Sequence, residues 1–295
     1  METTSDGDVA VGARRRPFHR LVDGMPRCAW LDPDIYRESL KFRPRRGDLI
    51  QSTYPKSGTY WVQYITQLIL KGGNPVTTYN EFTSHTHALE YMRHSDWKPT
   101  LPMRLFFTHL PFRTEIMNKE VKYVYVARNP WDVCVSFYNM MTDVSIWNFQ
   151  DGTFEEFVDA FLETDLGYGS YFDHVATGYS LKDESNVFFV TYEDIKRDTH
   201  GAVLRLSRFW ESVTFRLCKK TTISSKRSRG YRGDKTKYPM VRTARVGGWK
   251  DYFTPDLLAR MEQKIREQGD KAAFMELWKD IREEAAAMAG MNSTL

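Results

Sequence analysis

The sequence predicts an α/β fold: one domain with a central parallel sheet flanked by helices and a P-loop-like strand–loop–helix for phosphate. Three observations carry this. Short β-rich runs that are apolar on both faces alternate with stretches of helical periodicity, as in a sheet covered on both sides. One such run turns directly into a helix through the Gly-containing segment Pro55–Thr59. No internal repeat or flexible linker divides the 295 residues, and 41 % apolar content is enough for one large core.

Residues 1–16 are polar and turn-prone and are expected to form a disordered tail, including Arg14-Arg15-Arg16, with the domain spanning 17–295. Met25–Tyr36 mixes Pro, Trp, Leu and Tyr, which suggests a segment packed over a pocket. After the punctuation of Pro44–Gly47, Asp48–Tyr54 reads as a strand, and Trp61, Tyr64, Ile65, Leu68 and Ile69 then repeat at helical spacing. Arg104–Thr108, Lys122–Ala127 and Asn186–Tyr192 are further strands. Helices are expected over Trp131–Met141, Phe154–Leu162 and Ala202–Trp210, and the basic segment Ser224–Lys237 reads as a long loop. Ligands of parallel sheets bind at the C-terminal strand ends, where Lys56, His109, Arg128 and Tyr192 would emerge.

Composition narrows the function. A net charge of +4 suits an anionic ligand, but no clustered basic run accompanies a nucleic-acid motif. Cys28, Cys134 and Cys218 have neither paired nor metal-ligand spacing, which fits a reducing compartment and predicts no zinc site. The N-terminal stretch has no apolar run of signal-peptide length, and no run of about 18 apolar residues occurs. These features predict a cytoplasmic protein without a membrane partner.

The chemistry gathers at three places. In Pro55–Thr59, Gly58 can take left-handed backbone angles, Ser57 and Thr59 can cap the new helix or offer hydroxyls, and Lys56 adds a charge. The uncommitted first amides of a helix make such a turn a seat for phosphate. It is not a Walker A loop, because the Lys precedes the only Gly. Arg128 ends a strand, Asn129-Pro130 opens a helix and Ser136 follows within it, so a guanidinium and a hydroxyl could share one phosphate. A surface ion pair would use Arg128 equally well. His109, just past a third strand, could act as a proton acceptor or be a packed histidine.

Tyr54–Trp61, Y-P-K-S-G-T-Y-W, resembles the 5′-phosphosulfate loop of the cytosolic sulfotransferases, which use 3′-phosphoadenosine 5′-phosphosulfate (PAPS) as sulfuryl donor. Arg128–Ser136 matches that family's 3′-phosphate motif, R-N-P-x-D-x-x-V-S, and Thr108–Pro111 matches the T-H-L-P segment of its general base. Tyr192-Glu193-Asp194 resembles the segment whose Tyr reaches adenine, although Asp194 could also be an N-cap. Arg242–Lys250 resembles R-K-G-x-x-G-x-W-K, with Thr243 and Ala244 replacing the Lys and Gly and Arg245 as a compensating cation. Thr221 and Ile223 stand where the family places a Thr and a Phe near adenine. The resemblance covers Arg43 to Phe253.

It implies transfer of the PAPS sulfuryl group to a hydroxyl or amine of a small acceptor such as a phenol, steroid or other alcohol. His109 would be the base and Lys56 would stabilise the leaving phosphate. The donor would lie on Lys56, Ser57, Gly58, Thr59, Tyr60, Trp61, Arg128, Ser136, Tyr192, Thr221, Ile223, Arg242, Thr243 and Ala244, with no metal. Trp61 would stack on adenine, although its helical spacing also suits the core. Phe107 departs from the family's Lys, and the dimer motif, which reads Lys250, Thr254, Pro255 and Ala259, is degraded, leaving a homodimer open. Phe82, His85, His87, Tyr91, Phe112 and Met141 are candidates for an aromatic-rich acceptor pocket, or for core or surface. Two rivals use the same residues: an ATP-using P-loop enzyme, disfavoured by the order of Gly and Lys, and a PAPS-binding protein whose Phe107, Thr243 and Ile223 mark an impaired site.

Overall fold

β-branched and aromatic runs of five or six residues, flanked by Pro, Gly and Asn, are what a buried parallel sheet selects. The computed structural model describes residues 14–211 and 245–291. It opens with an antiparallel hairpin of β1 (Arg20–Val22) and β2 (Met25–Arg27), followed by α1 (Pro33–Lys41). The central sheet contains β3 (Asp48–Thr53), β4 (His87–Ala88), β5 (Arg104–Thr108), β6 (Lys122–Ala127) and β7 (Val187–Thr191). These strands are parallel, in the order β4-β5-β3-β6-β7.

Alternation along the strands divides the core. Leu49, Leu105, Val124 and Val126 pack on one face with Val62, Ile65 and Ile69 of α2 (Thr59–Leu70). The same face receives Ala202, Val203 and Leu206 of α8 (Thr199–Glu211). Ile50, Phe106, Tyr123 and Tyr125 point to the other face, under α4 (Pro130–Asp143), α5 (Phe154–Leu162) and α6 (Tyr171–Ser180). Each fully buried aliphatic side chain here is worth about 1.5–3 kcal/mol. Capping fixes where the helices begin: Asn129 accepts from the Asp132 amide at the start of α4, where Pro130 supplies the first residue. Thr153 and Glu156 form a capping box on α5.

Ser52 of β3 is in register with both Thr108 of β5 and Tyr125 of β6. The chain segments that leave these strands therefore meet at one edge. No helix among the described residues is long and apolar enough to cross a membrane.

Two expectations change. Arg14–Arg16, read as part of a solvated tail, lies against α5 and the turn before it: Arg14 pairs with buried Asp159, Arg15 donates to the Asp151 carbonyl at 2.6 Å, and Arg16 meets Glu163 at 2.6 Å. The acidic residues of that surface supply partners that a tail read in isolation lacks. Asp194 is not an N-cap; α7 (Tyr192–Arg197) is capped by Thr191, and Asp194 pairs with Arg197 at 3.1 Å. Thr254 caps α9 (Pro255–Glu267), and Lys250 pairs with Glu284.

Candidate active site

His109 follows β5 and is held at three points. Its ring Nδ1 lies 2.8 Å from the Thr53 carbonyl, which can only accept, so Nδ1 carries the proton and Nε2 keeps its lone pair. Its amide donates to Glu90, and its carbonyl accepts from His174 Nε2 at 3.1 Å. Burial, assisted by the nearby charge of Lys56, lowers the His109 pKa to about 4, with the Thr53 carbonyl opposing the shift. The imidazole is therefore neutral at physiological pH.

Glu90 and His174 carry no motif signal. Glu90 also accepts from Thr108 Oγ1 at 2.8 Å, and its burial raises its pKa to about 7. His174 is buried on α6 and pushed down to about 3 by burial.

The turn after β3 is built for close approach. Gly58 has φ +105° and is the N-cap of α2, so α2 begins with no side-chain cap and its first amides are uncommitted. Of the two roles open to Ser57 and Thr59, capping the helix or offering hydroxyls, the first is therefore not taken. Thr59 Oγ1 instead meets Thr53 Oγ1 at 2.7 Å, and Ser57 Oγ is buried without a hydrogen-bond partner among the described residues. A Cβ on Gly58 would lie 2.9 Å from Tyr192 Cδ2. Lys56 is also left-handed, at φ +70°, a strain of about 1–2 kcal/mol for a residue with a Cβ. Burial, reinforced by the Arg128 charge, lowers the Lys56 pKa to about 8, and its Nζ lies 3.5 Å from Met140 Sδ.

Arg128 ties this turn to the C-terminal segment. Nη1 donates to the Lys56 carbonyl at 3.2 Å, Nη2 to the Arg245 carbonyl at 3.3 Å, and Nε has no partner among the described residues. The guanidinium stands 4.4 Å from the centre of the Tyr192 ring, and Trp61 meets the same ring edge-on at 5.2 Å. Asp132, which sequence reading left unassigned, accepts from the amides of Gly247 (2.9 Å) and Trp249 (3.1 Å) and so anchors the turn behind Arg245. Arg245 itself pairs with Asp251.

Ser136 is half-buried on α4, and Tyr60 packs between Phe82 at 5.4 Å and Phe107 at 6.5 Å. Thr221, Ile223, Arg242, Thr243, Ala244, Cys218 and the basic loop 224–237 lie outside the described residues. Among those described, no group of three or more His, Cys, Asp or Glu side chains could hold a metal.

A cavity of about 360 Å3 opens on His109, walled by Tyr91, Tyr168, Cys28 and Arg27 and by Tyr36 of α1. Met25–Tyr36 thus does border a pocket. Of the six candidates for the acceptor wall, Tyr91 alone belongs to this cavity. Phe112 packs on Tyr123 and Tyr125, Met141 is in the core, and His87 packs among His94, Trp97 and Phe106. His85 bonds Thr100 at 2.6 Å and Phe82 faces Tyr60, because the short strand β4 turns this stretch inward.

The sulfotransferase domain family matches residues 46–275. Sulfotransferase 1C2 of Oryctolagus cuniculus is 27 % identical over 284 residues, covering 88 % of this chain and 95 % of that one. Human sulfotransferase 4A1 is 32 % identical over 246 residues, covering 79 % and 84 %. Mouse sulfotransferase SULT7A1, in a crystal structure with PAP, superposes with a TM-score of 0.65 at 21 % identity, over 91 % of this chain and 99 % of that one.

Proposed function

The chain belongs to the sulfotransferase domain family, and from that premise we propose that it transfers the sulfuryl group of PAPS to a hydroxyl or amine of a small molecule bound beside His109. One observation supports this most: the base is tied to the turn that carries the cation, since His109 Nδ1 is committed to the carbonyl of Thr53, the last residue of β3 before the turn that holds Lys56.

PAPS, when bound, supplies an activated sulfuryl group on a phosphate leaving group. The residues present fit it. The uncapped start of α2, the unpartnered Ser57 hydroxyl and the free Nε of Arg128 are donors that lack acceptors among the described residues. Trp61 and Tyr192 offer ring faces for adenine beside them. Arg128 and Ser136 would take the 3′-phosphate and Lys56 to Tyr60 the 5′-phosphosulfate, while Thr221, Ile223 and Arg242 to Ala244 belong to the same proposal by resemblance alone.

His109 Nε2 takes the proton of the acceptor hydroxyl as that oxygen bonds to sulfur. Lys56 meets the charge left on the departing phosphate oxygen. Thr53, Glu90 and His174 fix the ring and main chain of His109, so the base is positioned before an acceptor arrives. Phe107, 5.7 Å from His109, adds an apolar edge and no charge, which leaves charge stabilisation to Lys56. A cytoplasmic setting and a small-molecule acceptor, rather than a nucleic acid or membrane, complete the reading.

Incubation with labelled PAPS and a panel of phenols, alcohols and amines is expected to give labelled product. Magnesium-dependent ATP hydrolysis without sulfuryl transfer would overturn the proposal in favour of a P-loop phosphohydrolase.

A further inference from the structure

Among the described residues, the charged side chains lining the cavity are partnered at every position but one. Arg113 meets Glu115 at 2.9 Å and donates to the Leu40 carbonyl at 2.8 Å. Asp173 meets Lys271 at 3.1 Å. Glu90 has both carboxylate oxygens engaged, by Thr108 and by the His109 amide, and its raised pKa of about 7 leaves it only partly charged near neutrality.

Arg27 differs. Its guanidinium carbon stands 4.9 Å from the centre of the Tyr36 ring, and its Nε is buried without a partner. Nη1 reaches the adjacent Pro26 carbonyl at a long 3.4 Å. Asp23, the acid whose charge it feels, is already paired with Arg37 at 2.8 Å. Among the described residues Arg27 forms no ion pair. Its main chain is closely packed, since a Cβ on Gly167, which stands at φ +75°, would lie 2.5 Å from the Arg27 carbonyl carbon.

Arg27 is half-buried and no acid among the described residues pairs with it, so its guanidinium keeps donors available to an anion bound in the cavity. The neighbouring wall is apolar, from Leu31, Tyr36, Leu40 and Leu110, so an anion there would be attached to an apolar body. One guanidinium matches one carboxylate in a fork-to-fork geometry, whereas a phosphate dianion would leave a charge unmet. A volume of about 360 Å3 is near the low end for small-molecule sites, which favours a compact ligand.

We infer that the acceptor is a hydroxy acid: its hydroxyl faces His109, its apolar ring or chain fills the cavity, and its carboxylate pairs with Arg27. This rests on the transferase reading for the fate of the hydroxyl, and on the unpaired Arg27 for the acid.

The test reads binding without turnover. Protein saturated with adenosine 3′,5′-bisphosphate is titrated calorimetrically with 4-hydroxyphenyl-acetate, -propanoate and -butanoate and with their methyl esters. The best acid is expected to bind about tenfold or more tightly than its ester, as a charge-assisted pair requires. Arg27→Leu should bring that ratio to within about twofold, and Arg27→Lys should retain part of it, since an ammonium keeps the charge but not the fork. Thermal melts check that both variants fold, and Arg27→Lys alone carries the comparison if Arg27→Leu does not. Equal binding of acid and ester by the unmodified protein, a ratio unmoved by the substitutions, or no binding of any acid would overturn the inference. Such a failure would leave the transferase reading standing, whereas absent transfer to every member of a panel that includes both neutral phenols and amines and the hydroxy acids would count against that reading.

Discussion

The main-chain carbonyl of Thr53 accepts a hydrogen bond from Nδ1 of His109 at 2.8 Å, and that contact decides which ring nitrogen is free. Thr53 ends the strand that leads into the phosphate-type turn, so the geometry that seats the donor also orients the base.

The pH profile of the free protein should reflect both shifted groups. His109 must be neutral to accept a proton, so kcat/KM should fall only as pH drops through about 4. Lys56 must be charged, so kcat/KM should fall as pH rises through about 8. A plateau between these limbs is expected, and an acid limb near the ordinary histidine value of about 6.5 would contradict the buried, neutral ring.

Lys56→Met keeps the bulk of the side chain and removes its charge. Loss of one preorganised electrostatic contact is expected to lower kcat by about 10²–10³-fold. Acceptor KM should change little, a split that steady-state kinetics can resolve.

Gly58→Ala tests the close approach at the turn. At φ +105° an alanine is strained, and its Cβ would press on the Tyr192 ring 2.9 Å away. Weaker binding of adenosine 3′,5′-bisphosphate is expected, by tenfold or more on the order of 1.4 kcal/mol. Unchanged affinity in a calorimetric titration would show that the turn tolerates the methyl group.

Asp132→Ala leaves the amides of Gly247 and Trp249 without their acceptor. Unpaired buried donors cost about 1–3 kcal/mol each, so a lower melting temperature is expected. Donor affinity should fall with it, because the Arg245 carbonyl that Arg128 grips belongs to the same turn.

What could be read in the sequence was local. Arg104–Thr108, Lys122–Ala127 and Phe154–Leu162 were legible to the residue, since β-branched or aromatic runs and an amphipathic stretch each carry their own pattern. Lys56, Gly58 and Arg128 were legible because a strand-to-helix turn places its chemistry in consecutive residues. The hairpin β1–β2 was not, since three-residue strands have no period to detect. Glu90 and His174 were not either. They reach His109 across 19 and 65 residues of chain, and only the fold brings them there. Arg27 carries no motif signal, and only the fold sets it over the Tyr36 ring and beside the turn at Gly167.

The most direct test is a comparison of the unmodified protein with His109→Ala, measuring sulfuryl transfer from labelled PAPS to the acceptor panel beside calorimetric binding of adenosine 3′,5′-bisphosphate. The account predicts a fall in turnover of at least about 10²-fold with donor affinity kept, as loss of a general base requires. Turnover retained in His109→Ala, or donor binding lost together with turnover, would contradict the role assigned to His109.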